Sequence, residues 1–153
     1  PRDVLATSSR PGGAWGNSSE EDRNRRSVYI FVKRSLHEPF LSAFDWADTD
    51  NTCDVRFVTT VPTQTLTLMN SKFLNDSAET LAKHVADEAP GDAKAQIRHA
   101  LHKATHRKPT DEEVQDGLNL IKELKEKTEA SQEDAMQRFC LLVLNLNEFL
   151  YLD

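Results

Sequence analysis

The sequence is poor in the residues and runs by which several classes of protein are recognised. It has two cysteines in 153 residues, Cys53 and Cys140, too few and too far apart for a disulfide framework or a zinc knuckle. They either form one bridge in an oxidising compartment or lie apart as buried thiols. The longest apolar run, 139–144, has six residues, so no segment is predicted to span a lipid bilayer.

The chain also lacks the short motifs that most often mark catalysis or cofactor binding. It has no phosphate-binding glycine-rich loop, no nucleophile elbow, no HExxH zinc motif and no CxxCH haem-attachment site. We therefore predict no catalytic and no cofactor-binding residues in this chain. Its first residues do not form a basic-then-apolar signal pattern, and it opens on Pro1 rather than Met. We expect it to be a fragment of a longer protein.

Charge is unevenly distributed along the chain. The formal net charge is −6, but residues 1–34 carry seven basic and four acidic side chains, whereas the remainder carries 12 basic and 21 acidic ones. An acidic body repels phosphate backbones, which argues against nucleic-acid binding. We expect the basic segment to dock either on the acidic body, which is the favoured alternative, or on a partner. Arg25, Arg26 and Asp45 are the candidate partner-facing residues.

The spacing of apolar residues predicts an N-terminal arm followed by one helical domain. Residues 1–26 are rich in Gly and Ser and form the flexible or extended arm, with Trp15 as its one large anchor. The helical domain covers 27–153. Its first apolar run, 27–34, fits either a strand or a helix, and we favour a short helix capped by Ser27.

Helical periodicity governs the chain from residue 62 onward. Five helix starts are predicted at Pro62, Ser71, Asp92, the Thr110–Glu113 capping box and the Ser131–Asp134 cap. Their short connections imply neighbouring helices, so the fold class is mainly α, a compact multi-helix bundle with an extended N-terminal arm and a long acidic loop. Leu66 and Met69 fall on one side of the first helix, and the predicted inner faces of the others are Phe73, Leu74, Ala78, Leu81, Ala82, Val85, Ile97, Ala100, Leu101, Ala104, Val114, Leu118, Ile121, Leu124, Phe139, Leu142, Val143 and Leu146.

Three histidines lie at spacings that suit metal ligands. His99, His102 and His106 are three and four residues apart on one side of a predicted helix. At about 100° per residue they fall opposite the apolar side that contains Ile97. We therefore interpret them as part of a solvated polar face rather than as a metal site.

An irregular loop over 37–61 holds a second group of candidate ligands. Asp45, Asp48 and Asp50 supply crowded carboxylate oxygens, which are the donors that calcium prefers. The EF-hand spacing fails, because neither the glycine of the sixth position nor the glutamate of the twelfth is present. The three aspartates are therefore metal candidates, and aspartates that bond their own backbone in turns are the favoured interpretation.

Three stretches, taken in order, resemble a known family. They are 25–34 (RRSVYIFVKR), 39–45 leading to 59–70 (TTVPTQTLTLMN), and the ending 144–153 (LNLNEFLYLD). Together they resemble the C-terminal part of the planctomycete secreted domain of unknown function, usually called DUF1553 or PSD1, from about Arg25 to Asp153.

The resemblance implies a large exported planctomycete protein, often with an upstream cytochrome-c-like domain. Any haem belongs to that upstream part, since this chain has no CxxCH, and no catalytic residues are implied. The family usually has Gly in the turn after the third helix, where this chain has His106. Because glycine suits a left-handed cap, His106 is better explained as a local substitution than as a ligand.

Two functions are expected from these observations. The first is a non-catalytic interaction or scaffold module of a secreted multidomain protein, whose partners are the other domains of that protein. The alternative is half of an extracellular redox or polysaccharide-processing enzyme that needs the upstream domains, with Asp45 and Asp48 as its clustered carboxylates. Carbohydrate is a further candidate partner, since Trp15 and Trp46 have rings that sugars stack on, although core packing is the favoured role for both.

Overall fold

Helices make up the regular secondary structure of the part of the chain that the structure describes. The computed structural model describes residues 19–23, 25–30, 32, 39–47, 52 and 62–151. No strand occurs among these residues, and the mainly α, multi-helix fold predicted from the sequence is confirmed. The chain divides into two compact units, Pro1–Gln64 and Thr65–Asp153. The boundary predicted after residue 26 stays a prediction, because most of the arm lies outside the described residues.

The first unit contains short helical turns. Helix α1 covers Glu20–Arg23, and a 3-10 turn covers Ser27–Tyr29. The short helix favoured within 27–34 is therefore present only as this 3-10 turn: Ile30 is already extended, with φ −69° and ψ 139°, and Arg26 rather than Ser27 occupies the cap position. The β-branched residues of this run lose side-chain freedom in a helix, which explains why it does not continue.

Helix α2 covers Pro39–Ala43. The prediction of an irregular loop over 37–61 is therefore wrong for these residues. Its proline stands at the first helical position, where the missing N–H is no loss. The Phe40 and Phe44 rings, four residues apart, lie with their centroids 5.6 Å from each other. This local apolar pair stabilises a helical turn where the sequence suggested only turn-forming acids.

Two helices meet at a break of one residue. Helix α3 covers Pro62–Asn70 and α4 covers Lys72–Glu88, so both predicted starts are confirmed. The Asn75 side-chain amide donates hydrogen bonds to the carbonyl oxygens of Met69 (3.0 Å) and Ser71 (2.9 Å). These bonds join the first turn of α4 to the last turn of α3, where carbonyl groups run out of helical partners.

Three longer helices and one short helix complete the described chain. They are α5 Ala93–Thr105, α6 Asp111–Thr128, α7 Gln132–Val143 and α8 Asn147–Leu150. The N-terminal caps of the three longer helices are the predicted ones. The side chain of Asp92 accepts a hydrogen bond from the Ala95 N–H, and that of Ser131 accepts one from the Asp134 N–H. Thr110 and Glu113 form the reciprocal capping box. Each cap satisfies backbone N–H groups that have no acceptor inside the helix.

Helices α4 to α7 enclose the core of the second unit. Helix α4 packs most extensively on α7 and also on α5, and α6 packs on both α5 and α7. The short connections between successive helices are those of antiparallel neighbours. The buried residues of this core are Ala78, Ala82, Val85, Ile97, Ala100, Leu101, Ala104, Val114, Ile121, Ala135, Met136, Phe139, Cys140 and Val143. The predicted inner face of α5 is therefore confirmed in full.

Two residues predicted to face inward are exposed. Phe73 in α4 is 62% exposed and Leu142 in α7 is 43% exposed. In each case a neighbour along the helix takes the core position, Leu74 beside Phe73 and Val143 beside Leu142. A shift of one residue turns a side chain by about 100°, so runs of adjacent apolar residues leave the inner face ambiguous.

The thiol of Cys140 is free and buried within the core. Burial raises the pKa of this thiol to about 12, because the thiolate would lose its hydration. A protonated, enclosed thiol packs as a small apolar group and reacts slowly. Cys140 therefore matches the buried-thiol alternative, while Cys53 lies outside the described residues.

Gly117 lies where three helices come closest together. A Cβ atom at this position would stand 2.9 Å from Cγ2 of Ile97 in α5 and 2.9 Å from Cε2 of Phe139 in α7. Both neighbours are buried, and the β-branched isoleucine has little rotamer freedom. The missing side chain of Gly117 thus lets α5 and α7 approach α6 closely.

The turn between α5 and α6 ends α5 in a left-handed residue. His106 has φ 55° and ψ 15°, and its N–H donates to the carbonyl oxygen of His102 at 2.8 Å. The expectation that His106 stands at a position suited to glycine is therefore confirmed. A residue with a Cβ is strained in this conformation.

We expect Gly117→Ala to lower the free energy of unfolding by about 1 kcal/mol. Alanine gains about 1 kcal/mol of helix propensity, but forcing a methyl group against two buried side chains costs about 1–3 kcal/mol, and the middle of that range leaves the stated net loss. Urea denaturation measures the difference, with Asp116→Ala on the exposed side of α6 as the control. Equal or greater stability of Gly117→Ala would contradict the close approach, as would additive effects of Gly117→Ala and Phe139→Leu.

We expect His106→Gly to raise the free energy of unfolding by about 0.5–1 kcal/mol, because glycine adopts the left-handed conformation without a Cβ clash. The same denaturation experiment measures this gain. His106→Ala is the matched control, since it removes the imidazole but keeps the Cβ, and it should give no gain. If alanine and glycine stabilise equally, the backbone explanation is wrong.

Candidate functional site

The three histidines considered as metal ligands bond to different groups. His99 Nδ1 lies 3.0 Å from Glu88 Oε2, and His102 Nδ1 lies 2.9 Å from the carbonyl oxygen of Arg107. His106 is exposed at the left-handed end of α5. Among the described residues, no group of three or more His, Cys, Asp or Glu side chains is arranged to hold a metal ion. His99 and His102 thus each contact a neighbouring group of the second unit.

Glu88 is the centre of a polar cluster between α4 and α5. Its carboxylate lies 3.2 Å from His84 Nε2 on its own helix, and 3.0 Å from His99 Nδ1 and 3.2 Å from Lys103 Nζ on α5. The hydrogen bond from Lys103 lowers the pKa of Glu88, with His99 contributing further. The cluster therefore links the two helices on their solvent side through one ionised carboxylate.

A second polar cluster, centred on Arg107, connects three parts of the second unit. The Arg107 guanidinium donates to both carboxylate oxygens of Glu113 in α6, and its Nε and Nη2 donate to the two oxygens of Glu148 in α8 at 2.7 and 2.9 Å. Hydrogen bonds from Arg107 and from the Thr110 backbone lower the pKa of Glu113 to about 2, and Arg107 also lowers the pKa of Glu148. A planar guanidinium suits such paired contacts.

The structure places the predicted partner-facing arginines on the surface of the first unit. Arg25 Nε lies 3.5 Å from Asp22 Oδ1, and Arg26 is exposed beside the 3-10 turn. Asp45 is half-buried with a left-handed backbone, φ 56°. The other two candidate ligands, Asp48 and Asp50, lie outside the described residues, so a metal site at the three aspartates stays a prediction.

An exposed apolar surface runs along α3 and the start of α4. Leu66, Met69 and Phe73 are 58%, 45% and 62% exposed. Within α3, at about 100° per residue, Leu66 and Met69 lie about 60° from each other and about 100–160° from the buried Leu68. Phe73 follows the break, in the first turn of α4. We call these three exposed residues, two in α3 and one in α4, the outer ridge.

The sequence around the α3 part of the outer ridge contains no charge, whereas Phe73 directly follows Lys72. Residues 62–71 hold neither an acidic nor a basic side chain, in a chain of which 29% is charged. Depletion of charge together with exposed Met, Leu and aromatic side chains is the composition of a protein interface core. The sequence predicted that Leu66 and Met69 lie on one side of their helix. It did not predict that this side is exposed, and the charge-free run is the sequence feature that indicates it.

The outer ridge suits binding rather than catalysis. Its side chains are aliphatic, aromatic or thioether groups, none of which transfers a proton or attacks a carbonyl. Exposed apolar side chains that share one surface favour contact with another apolar surface, because water is released. What the structure shows is an exposed apolar surface.

These features define a helical protein with exposed apolar side chains on α3 and at the start of α4. The chain belongs to the family described as PSD1, protein of unknown function (DUF1553), whose family model matches residues 4–121. The family recognised from the sequence is thus confirmed, although the matched range begins before Arg25 and ends within α6, ahead of the stretch 144–153. Neither the curated proteins nor the solved structures gave a match in the other two comparisons. In the described segments, no helix is long and apolar enough to cross a membrane.

We expect Arg107→Gln to lower Tm by about 2–5 °C at neutral pH, because two carboxylates lose their partner. Glu113 has a depressed pKa in the folded state, so its contribution to stability is present above its unfolded pKa and is lost as the pH falls toward about 2. The Tm difference between wild type and Arg107→Gln should therefore shrink as the pH falls from about 4.5 to about 2.

Calorimetry from pH 2 to 7 measures this trend. Lys108→Gln is the matched control, because it removes an exposed positive charge next to Arg107 and should show a small difference that does not vary in this way. A Tm difference for Arg107→Gln that stays constant down to pH 2 would show that the cluster does not stabilise the fold through ionised carboxylates.

Proposed function

We propose that this chain is a non-catalytic interaction module of an exported multidomain protein, and that it binds another domain of that protein through the outer ridge. The observation that carries the proposal is the exposure of Leu66, Met69 and Phe73 beside a charge-free run. Membership of the family supports the multidomain setting and the export, which are what the resemblance implies.

The size of the outer ridge favours a partner within the same protein. Fully burying one large apolar side chain contributes about 1.5–3 kcal/mol, so three half-exposed ones contribute about 2–5 kcal/mol together. Free association of two proteins costs an estimated 4–15 kcal/mol of lost translational and rotational freedom. A tethered domain avoids much of that cost, because its effective concentration is in the millimolar range. The ridge is therefore sufficient for a linked partner and marginal for a free one.

The alternative, half of a redox or polysaccharide-processing enzyme, depends on Asp45 and Asp48, and the second lies outside the described residues. Carbohydrate binding depends on Trp15 and Trp46, of which only Trp46 is described, as a half-buried residue. Both interpretations stay predictions, and the outer ridge favours neither of them.

Site-specific photo-crosslinking in the longer protein tests the proposal. A photoreactive phenylalanine analogue placed at Leu66 or at Phe73 should cross-link to residues that lie outside this chain, because the partner domain covers the ridge. The same analogue at Glu112, exposed on α6, is the matched control and should give few such products. Equal yields at ridge and control positions, or cross-links only within this chain, would refute domain docking.

The non-catalytic part of the proposal is tested by comparing the 153-residue chain with the longer protein in the same polysaccharide-cleavage and redox assays. We expect no turnover by the chain alone. Turnover by the chain at the rate of the longer protein would overturn this assignment, whatever the cross-linking result.

A further inference from the structure

A groove lies among α5, α6 and α7, within the second unit. Its volume is about 390 Å³, within the range of small-molecule sites. The lining residues are Ala93, Leu118, Ile121, Lys122, Lys125, Glu126 and Gln132. None of the residues of the outer ridge lines this groove, so the groove is a separate feature of the second unit.

The groove has an apolar floor and a polar rim. Ile121 is buried in the core, and Ala93 and Leu118 are half-buried beside it. Lys122, Lys125, Glu126 and Gln132 are exposed. An apolar floor with a few polar groups at one edge is suited to a ligand that is itself amphipathic.

Lys125 supplies a positive charge that no carboxylate neutralises among the ion pairs of the described residues. Its Nζ donates to Gln132 Oε1 at 3.0 Å, which is a neutral amide acceptor. An ammonium group has three donors, so two are left for other acceptors. By contrast, Lys127 on the same helix has a close partner, with its Nζ 2.7 Å from Glu123 Oε2.

The net charge of the rim favours a ligand that carries one negative charge. Lys122 and Lys125 carry two positive charges and Glu126 one negative charge, and the Lys122 and Glu126 charged groups are 3.9 Å apart. One net positive charge remains, centred on Lys125. A ligand with several negative charges would meet Glu126 and a chain of net charge −6, which oppose it.

We propose that this groove binds a small amphipathic carboxylate, such as a medium-chain fatty-acid anion. The carboxylate accepts hydrogen bonds from the Lys125 ammonium group, and the alkyl chain lies over Leu118 and Ile121. A charge-assisted hydrogen bond at the rim fixes the orientation, and burial of the alkyl chain supplies most of the affinity. This inference is independent of the proposed domain docking.

Titration of the 153-residue chain with octanoate, followed by two-dimensional NMR, tests the proposal. We expect saturable shifts of the backbone signals of Leu118, Ile121 and Lys125 at millimolar octanoate. Octanamide has the same alkyl chain without the charge and should bind about tenfold more weakly, the equivalent of about 1.4 kcal/mol. Shifts that do not saturate, or equal binding of octanoate and octanamide, would overturn the proposal.

Two charge variants with opposite expected effects complete the test. Lys125→Gln should weaken octanoate binding about tenfold, whereas Glu126→Gln should strengthen it, because the opposing charge of the rim is removed. Lys108→Gln, exposed in the turn between the end of α5 and the start of α6 and absent from the lining of the groove, should leave the affinity within about twofold. All three sites are on the surface, so the fold is preserved. Unchanged affinity in Lys125→Gln would show that this residue does not hold the carboxylate.

Discussion

The close approach of α5, α6 and α7 at Gly117 is the contact on which the second unit depends. Ile97 and Phe139 occupy the space that a side chain at Gly117 would fill. Because protein interiors are packed as densely as organic crystals, a contact of this kind fixes the distance and the level at which helices meet. Residues 97, 117 and 139 all lie near the middle of their helices, as expected when neighbours run antiparallel.

Local signals were sufficient to predict most of the helices. The Thr110–Glu113 capping box and the apolar spacing around Ile97 act over three or four residues, so a single sequence contains all that they require. The Arg107–Glu148 contact joins residues 41 positions apart, and only the folded chain brings them together. Gly117 stood in the sequence as an isolated glycine in a helical pattern, which signals a packing role without identifying the neighbours.

The candidate surfaces were harder to predict because hydrophobicity alone does not tell an inner face from an outer one. Phe73 continues an apolar stripe in the sequence, yet Leu74 takes the core position and leaves the ring outside. The absence of charge from 62–71 is the more informative feature, since a solvated helix face in this chain is usually charged. Where an exposed apolar side lies within a charge-free run, contact with another surface explains both observations together.

The topology separates the two surfaces. The outer ridge lies on α3 and the first turn of α4, whereas the groove lies at the start of α5, beside the second half of α6 and the start of α7. In an antiparallel arrangement the start of α5 stands beside the end of α4, so the groove and the ridge lie at opposite ends of the helices. Helix α4 has 17 residues and is about 25 Å long at 1.5 Å per residue. That distance is several times the length of a side chain, so the residues of the ridge do not reach the groove and the two surfaces can be tested separately.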